Sequence, residues 1–206
     1  PKVPAKKAPA KAAKKAPAKN SPLKKAPAKA SSKSAGSSGA KTSTSTAMRD
    51  RAIAQAQFAR KIVNRYAAGF EDVTAQPTNL PNHLLWSLGH LAATASWFNT
   101  LMAKNTNHTV PANYESLFGM DSRPVSDPSA YPSFDEVRKN FDDSFDALIA
   151  NAMKLNDDQL QSPPEQDGHG FVSDKLDCLF KLAWHEAWHL GQIVDQRRAL
   201  GITAKG

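Results

Sequence analysis

Apolar residues recur at three- and four-residue steps in four separate stretches of the chain, and no stretch alternates with a period of two. The last stretch is the clearest. From Asp174 to Leu200, the residues Leu176, Leu179, Phe180, Ala183, Ala187, Leu190 and Val194 form the stripe of a long helix. Ser173 is placed to cap its start and Gly201 to end it. An earlier helix is expected from near Thr46 to about Ala68, broken by Gly69. Ala52, Gln55, Ala59, Ile62, Val63 and Tyr66 share one of its faces, and Arg49, Arg60, Lys61 and Arg65 fall mostly on the others.

A second helix follows a loop from Phe70 to Pro81, with Asn82 where an N-cap belongs. Its apolar positions Leu84, Leu88, Leu91, Ala95, Phe98 and Met102 run to about Lys104, and His90 lies among them. Ser133-Phe-Asp-Glu136 has capping-box spacing and opens a third helix, with Phe134, Val137, Phe141, Phe145, Leu148 and Ala152 on one face to about Leu155. Between them, residues 105–132 are a long polar connection whose Tyr114, Leu117, Phe118 and Met120 should fold back onto the body. Residues 156–172 are a further loop, with Pro163, Pro164, Gly168 and Gly170. Four amphipathic helices without a strand predict an all-α fold, a four-helix bundle in which the connection between the second and third helices is the crossover.

Charge divides the chain. Of 27 Lys and Arg, 12 lie in residues 1–41, which contain no Asp or Glu; the remainder holds 15 basic and 19 acidic groups, a net −4. This N-terminal stretch repeats Pro-Ala-Lys and has no aromatic residue, so residues 1–45 are expected to be a disordered basic tail and 46–201 the bundle. Lysines without acids suit non-specific contact with DNA or another polyanion, or simply a solubilising tail; no base-reading element is visible. The single cysteine, Cys178, excludes an intramolecular disulfide framework and reads as a small buried apolar group. No apolar run approaches 18 residues, so no membrane span is expected. The basic start lacks a following apolar segment, and Pro1 fits removal of an initiator methionine; the expected location is cytoplasmic, with nucleoid association through the tail.

The chemistry concentrates in His185-Glu-Ala-Trp-His189. Histidines four apart stand about 40° apart on a helix and can present two imidazoles to one metal ion. The 17 residues after His189 contain no His, Glu or Cys and only Asp195, so a third ligand must come from upstream. His90 is the best candidate, because His108 and His169 lie in loops and His83 at a helix mouth. His90, His185 and His189 are thus the expected ligands of a divalent ion, zinc first, with nickel or iron also suited to the donor set. The other reading of a helical histidine pair is a satisfied core or surface position.

Glu186 is a candidate general base, although the residue next to a ligand turns about 100° off the metal face. Gln192 shares the histidine face and can hydrogen-bond a ligand or an incoming group. Asn82 and His83 either line a pocket or merely cap their helix. Trp86, Trp97, Trp184 and Trp188 are expected mostly in the core, with Trp184 and Trp188 able to floor an apolar cavity beside the metal.

Trp86-Ser-Leu-Gly-His90-Leu-Ala, His185-Glu-Ala-Trp-His189-Leu-Gly-Gln-Ile193 and the closing Arg197-Arg-Ala-Leu-Gly201 together resemble the DinB-like superfamily, which includes bacterial thiol-dependent transferases. The resemblance spans about residues 47–201. It implies an up-up-down-down bundle, three histidine ligands matching His90, His185 and His189, dimers in several members, and a metal that activates a low-molecular-weight thiol for attack on an electrophilic small-molecule substrate. Metal-dependent hydrolysis and a non-enzymatic metal-binding bundle tethered to DNA are the alternatives, so the sequence leaves open whether the protein is an enzyme. The tail lies outside that pattern; its composition resembles the tails of linker histones and bacterial histone-like proteins.

Overall fold

The computed structural model describes residues 44–203. The expectations placed on the basic N-terminal stretch fall outside those residues, except at their edge. Six α-helices occur among the described residues: α1 (Ala47–Ala67), α2 (Leu84–Met102), the short α3 (Tyr114–Phe118), α4 (Phe134–Ala152), the short α5 (Asp157–Leu160) and α6 (Lys175–Ala199). A 3-10 turn at Pro128–Ala130 precedes α4, and there is no strand among these residues. None of these helices is long and apolar enough to cross a membrane.

The four long helices form a ring in which α1 packs on α6, α6 on α2 and α2 on α4. Arg60 closes it by reaching from α1 to the Phe141 carbonyl on α4. Contacts at the helix ends fix the directions. Arg197 near the end of α6 donates to the Tyr66 and Ala68 carbonyls at the end of α1, so these two helices run together. Asn151 near the end of α4 donates to Asn99 near the end of α2 at 2.8 Å, so these two also run together. Asn82, just before α2, meets Gln192 late in α6, which sets the pairs against each other. The order is therefore up-down-down-up rather than up-up-down-down. The reason is reach: α2 is about 28 Å long at 1.5 Å per residue, and the connection following it must return that whole length to start a parallel neighbour.

That crossover adheres to α2. Tyr114 and Phe118 are fully buried, while Met120, expected to fold back with them, is 87% exposed. Phe118 lies against the backbone of Gly89, where a Cβ would overlap its ring, so a glycine is needed here for close approach.

Several caps differ from those expected. His83, not Asn82, caps α2: its Nδ1 accepts from the Trp86 amide at 3.1 Å and its Nε2 donates to the Val125 carbonyl at 3.0 Å. Asp174, not Ser173, caps α6, accepting from the Asp177 amide at 2.8 Å; Ser173 binds the Asp177 carboxylate instead. Ser133 caps α4 as its spacing predicts. The start of α1 is capped from across the chain by Asp157, which accepts from the Arg49 and Met48 amides and from Ser45 Oγ.

The α1 face toward α6 is small-residued: Ala52, Ala56 and Ala59 are buried against a surface that includes Leu179, Leu182 and Ala183. Arg60, expected on a polar face, is buried among them, and Gln55 is exposed. On α6, Phe180 and Ala187 point outward although the periodicity placed them on the stripe.

Candidate metal centre

His90 sits midway along α2, and α6 runs antiparallel past it, so one turn of α6 brings both His185 and His189 to the same point. The ring centroids lie 5.0 Å apart for His90 and His185, 4.9 Å for His90 and His189, and 4.7 Å for His185 and His189. One ligand atom from each falls within 4.8 Å of the others, the arrangement of a group that could hold a metal ion. The Nε2 atoms of His90 and His185 are 3.2 Å apart. Two nitrogens on one zinc at bonds of about 2.0–2.1 Å in tetrahedral geometry stand about 3.3 Å apart, so the spacing suits two lone pairs converging on one cation.

The electrostatics also suit such an ion. Burial holds His185 down to about 4, helped by the neighbouring His90, and holds His189 down to about 3, helped by His185 and His90. Burial lowers His90 as well, against a hydrogen bond from its Nδ1 to the Phe118 carbonyl at 2.6 Å. All three are neutral at neutral pH, as metal-ligating imidazoles must be. Because a carbonyl only accepts, His90 carries its proton on Nδ1 and turns the Nε2 lone pair toward His185. The Nδ1 atoms of His185 and His189 are buried without a hydrogen-bond partner. An ion held on the Nε2 atoms would leave these Nδ1 atoms unpaired, so the fit rests on the donor set: three neutral imidazoles suit a borderline divalent ion.

The surroundings are asymmetric. Trp86 stacks on His90 at 4.8 Å between centroids, only 8° from parallel, and donates its Nε1–H to Ser122. On the outer side His185 is partly exposed, and Trp184 stacks against it at 6.3 Å. Trp184 and Trp188 are not core residues, being 49% and 58% exposed. They form an aromatic rim, 5.4 Å apart, rather than a cavity floor. A cavity of about 650 Å³ between the ends of α1 and α6, lined by Arg65, Tyr66, Asp72 and Arg197, shares no residue with the histidines. Of the three rings only His185 is partly exposed, so the cluster reaches the surface on that side alone.

Gln192 Oε1 accepts from Asn82 Nδ2 at 2.9 Å, and its side chain lies close enough to His189 to oppose the lowering of that imidazole by burial, so polar groups run from the start of α2 toward the cluster. Glu186 goes elsewhere. Its Oε1 accepts from Arg60 Nε at 2.8 Å and from Nη2, and its side chain is fully buried. The step of about 100° from His185 that makes it a poor base points it at α1. Cys178 is packed in the apolar core with its Sγ–H toward the Asp174 carbonyl, and its thiol is pushed up to about 12 by burial. Sequence reasoning missed two contributors. The Phe118 carbonyl is backbone and carries no side-chain signal, whereas Arg60 was detectable because it continues the buried register of Ala52, Ala56, Ala59 and Val63.

The fold and cluster define a class: an all-helical bundle with a buried three-histidine group shared between antiparallel helices. The family model of the DinB superfamily matches residues 47–193, and the chain belongs to that superfamily. No curated protein matches the chain.

Proposed function

We propose that the protein holds one divalent metal ion, zinc foremost and nickel or iron otherwise, on His90, His185 and His189, and uses it as a thiol S-transferase. The observation that carries this reading is the 3.2 Å approach of the His90 and His185 Nε2 atoms, with neutral His189 beside them and one side of the group open. A divalent ion at that position supplies Lewis acidity that lowers the pKa of a low-molecular-weight thiol. The chain's own residues do the rest. Phe118 fixes the His90 tautomer, Trp86 shields the inner side from water, and Trp184 and Trp188 offer apolar surface to the electrophile at the open side. Gln192 is placed to orient His189 or to donate its amide to an incoming group.

The attachment of Glu186 to Arg60 favours transfer over hydrolysis, because a hydrolase of the His-Glu-x-x-His type needs that carboxylate at the water. A second reading, a metal-binding bundle without turnover, rests on the 12 lysines of residues 1–41, which would tether the protein to DNA and the nucleoid. A homodimer is compatible with the transferase reading through a face other than the exposed Trp184–Trp188 rim, which must stay open to the electrophile.

Metal analysis by plasma mass spectrometry on untagged protein, beside His90→Ala and His185→Ala, is the test. About one equivalent of metal lost in both variants supports the site and opens a screen of thiols with electrophiles. A folded wild type that holds none and cannot be loaded refutes it.

A further inference from the structure

Both ligands on α6 depend on the rotation of that helix about its own axis. Side-chain atoms lie about 5–6 Å from a helix axis, so a turn of about 20° moves an imidazole about 2 Å, the length of a metal–nitrogen bond. The buried α1 face toward α6 is largely alanine, Ala52, Ala56 and Ala59 beside Ile53, and apolar contacts of this kind are non-directional, so a directional contact adds a constraint on that angle that they do not supply. One directional contact crosses the buried middle of this interface among the described residues, at Arg60 and Glu186. A second, from Arg197, lies at its far end.

Arg60 is itself held on several sides. Its guanidinium lies over the Phe141 ring at 3.5 Å and the Phe145 ring at 4.2 Å, its Nη1 donates to the Phe141 carbonyl at 2.6 Å, and Asp142 stands 3.7 Å away. The fork therefore ties α1, α4 and α6 at the level of the histidine group. Buried ion pairs are often no more stabilising than apolar residues of the same size, so stability alone is a weak reason for this one. We infer that the Arg60–Glu186 pair is a positioning device, fixing the rotation of α6 so that His185 and His189 face His90. The inference rests on the metal reading above and assigns no chemistry to Glu186.

The test replaces the pair by apolar residues of similar volume, Arg60→Met with Glu186→Leu, and uses full-length protein loaded with cobalt(II). The metal-free double variant should melt at or above the wild-type temperature. Its metal affinity, measured by chelator competition, should fall about 10- to 100-fold, as for other groups that orient ligands indirectly, and its cobalt d–d absorption should shift. If the double variant does not fold, Arg60→Lys serves instead. It keeps the charge but loses the two-nitrogen grip, and should shift the cobalt spectrum with helicity unchanged, whereas Glu186→Gln, which keeps the accepting oxygen, should restore a near-wild-type spectrum. A folded apolar pair, or folded Arg60→Lys, with wild-type affinity and spectrum overturns the inference while leaving the metal site standing. Failure of the wild type to take up cobalt overturns both.

Discussion

The Nδ1–H of His90 points at the Phe118 carbonyl oxygen 2.6 Å away, joining the middle of α2 to the crossover that follows it. A backbone group 28 positions along the chain thus chooses the tautomer of a proposed ligand. The crossover is part of the site's support, and the contact depends on Gly89 letting Phe118 approach.

Gly89→Ala should accordingly push the Phe118 ring away and take its carbonyl with it. Overpacking of this kind costs about 1–3 kcal/mol, and loss of the outer hydrogen bond should weaken metal binding about 10-fold or more. Urea unfolding of the metal-free protein and chelator competition separate the two effects; an alanine variant equal to wild type in both would show that the approach is not required.

Metal should stabilise the fold through linkage. With free ion at about 100 times the dissociation constant, the expected gain is about 2.7 kcal/mol, visible as a rise in Tm. His189→Ala should abolish that rise while leaving the metal-free Tm within a few degrees, because it removes an unpartnered buried nitrogen along with the ring. Calorimetry with and without zinc measures it.

Asp157 predicts an acid-sensitive start to α1. Burial raises its carboxyl, but hydrogen bonds from Arg49, Ser45 and Met48 outweigh that and hold it below its ordinary value of 3.8. A carboxyl lowered in the folded state stabilises above the unfolded value, and that contribution is lost as pH falls through the lower folded value. Asp157→Asn should therefore lower Tm at pH 7, with the gap to wild type closing below about pH 4. A constant gap down to pH 2 would assign the effect to shape rather than charge.

Trp184→Ala and Trp188→Ala should change stability little, since both rings are about half exposed. If they receive the electrophile, KM for an aromatic electrophile should rise several-fold with kcat nearly unchanged. Steady-state kinetics, once a thiol pair is found, distinguishes this from a structural role, in which neither constant moves.

Removal of residues 1–41 tests the tail. DNA affinity of the full chain should fall steeply between 50 and 200 mM salt, as expected for counterion release, and should vanish in the truncated protein, whose net charge is −4. Fluorescence anisotropy with a short duplex reads both. Equal affinity of the two forms would discard the tether.

The periodic spacing was enough to place α1, α2, α4 and α6 within a few residues of their ends, because a helix that must bury one face writes its 3.6-residue period into the chain. It also singled out His90, His185 and His189, since His185 and His189 are a local helical pair and His90 was left as the histidine inside a second apolar stripe. The caps were less legible. Asn82 and Asp157 have ordinary capping side chains, yet one is drawn to Gln192 and the other to a helix more than 100 residues away.

What the sequence determined by itself is local: helix periodicity, the four-residue spacing of His185 and His189, and the division of charge between residues 1–41 and the remainder. What only the tertiary structure decided is direction and pairing. The up-down-down-up order, the burial of Arg60 against Glu186, the outward turn of Trp184 and Trp188, and the Phe118 carbonyl on His90 all depend on which helix lies beside which. Periodicity defines a face without naming the surface that will cover it. A buried ion pair or a ligand's outer hydrogen bond forms between faces far apart in the chain, so it takes shape only when those faces meet.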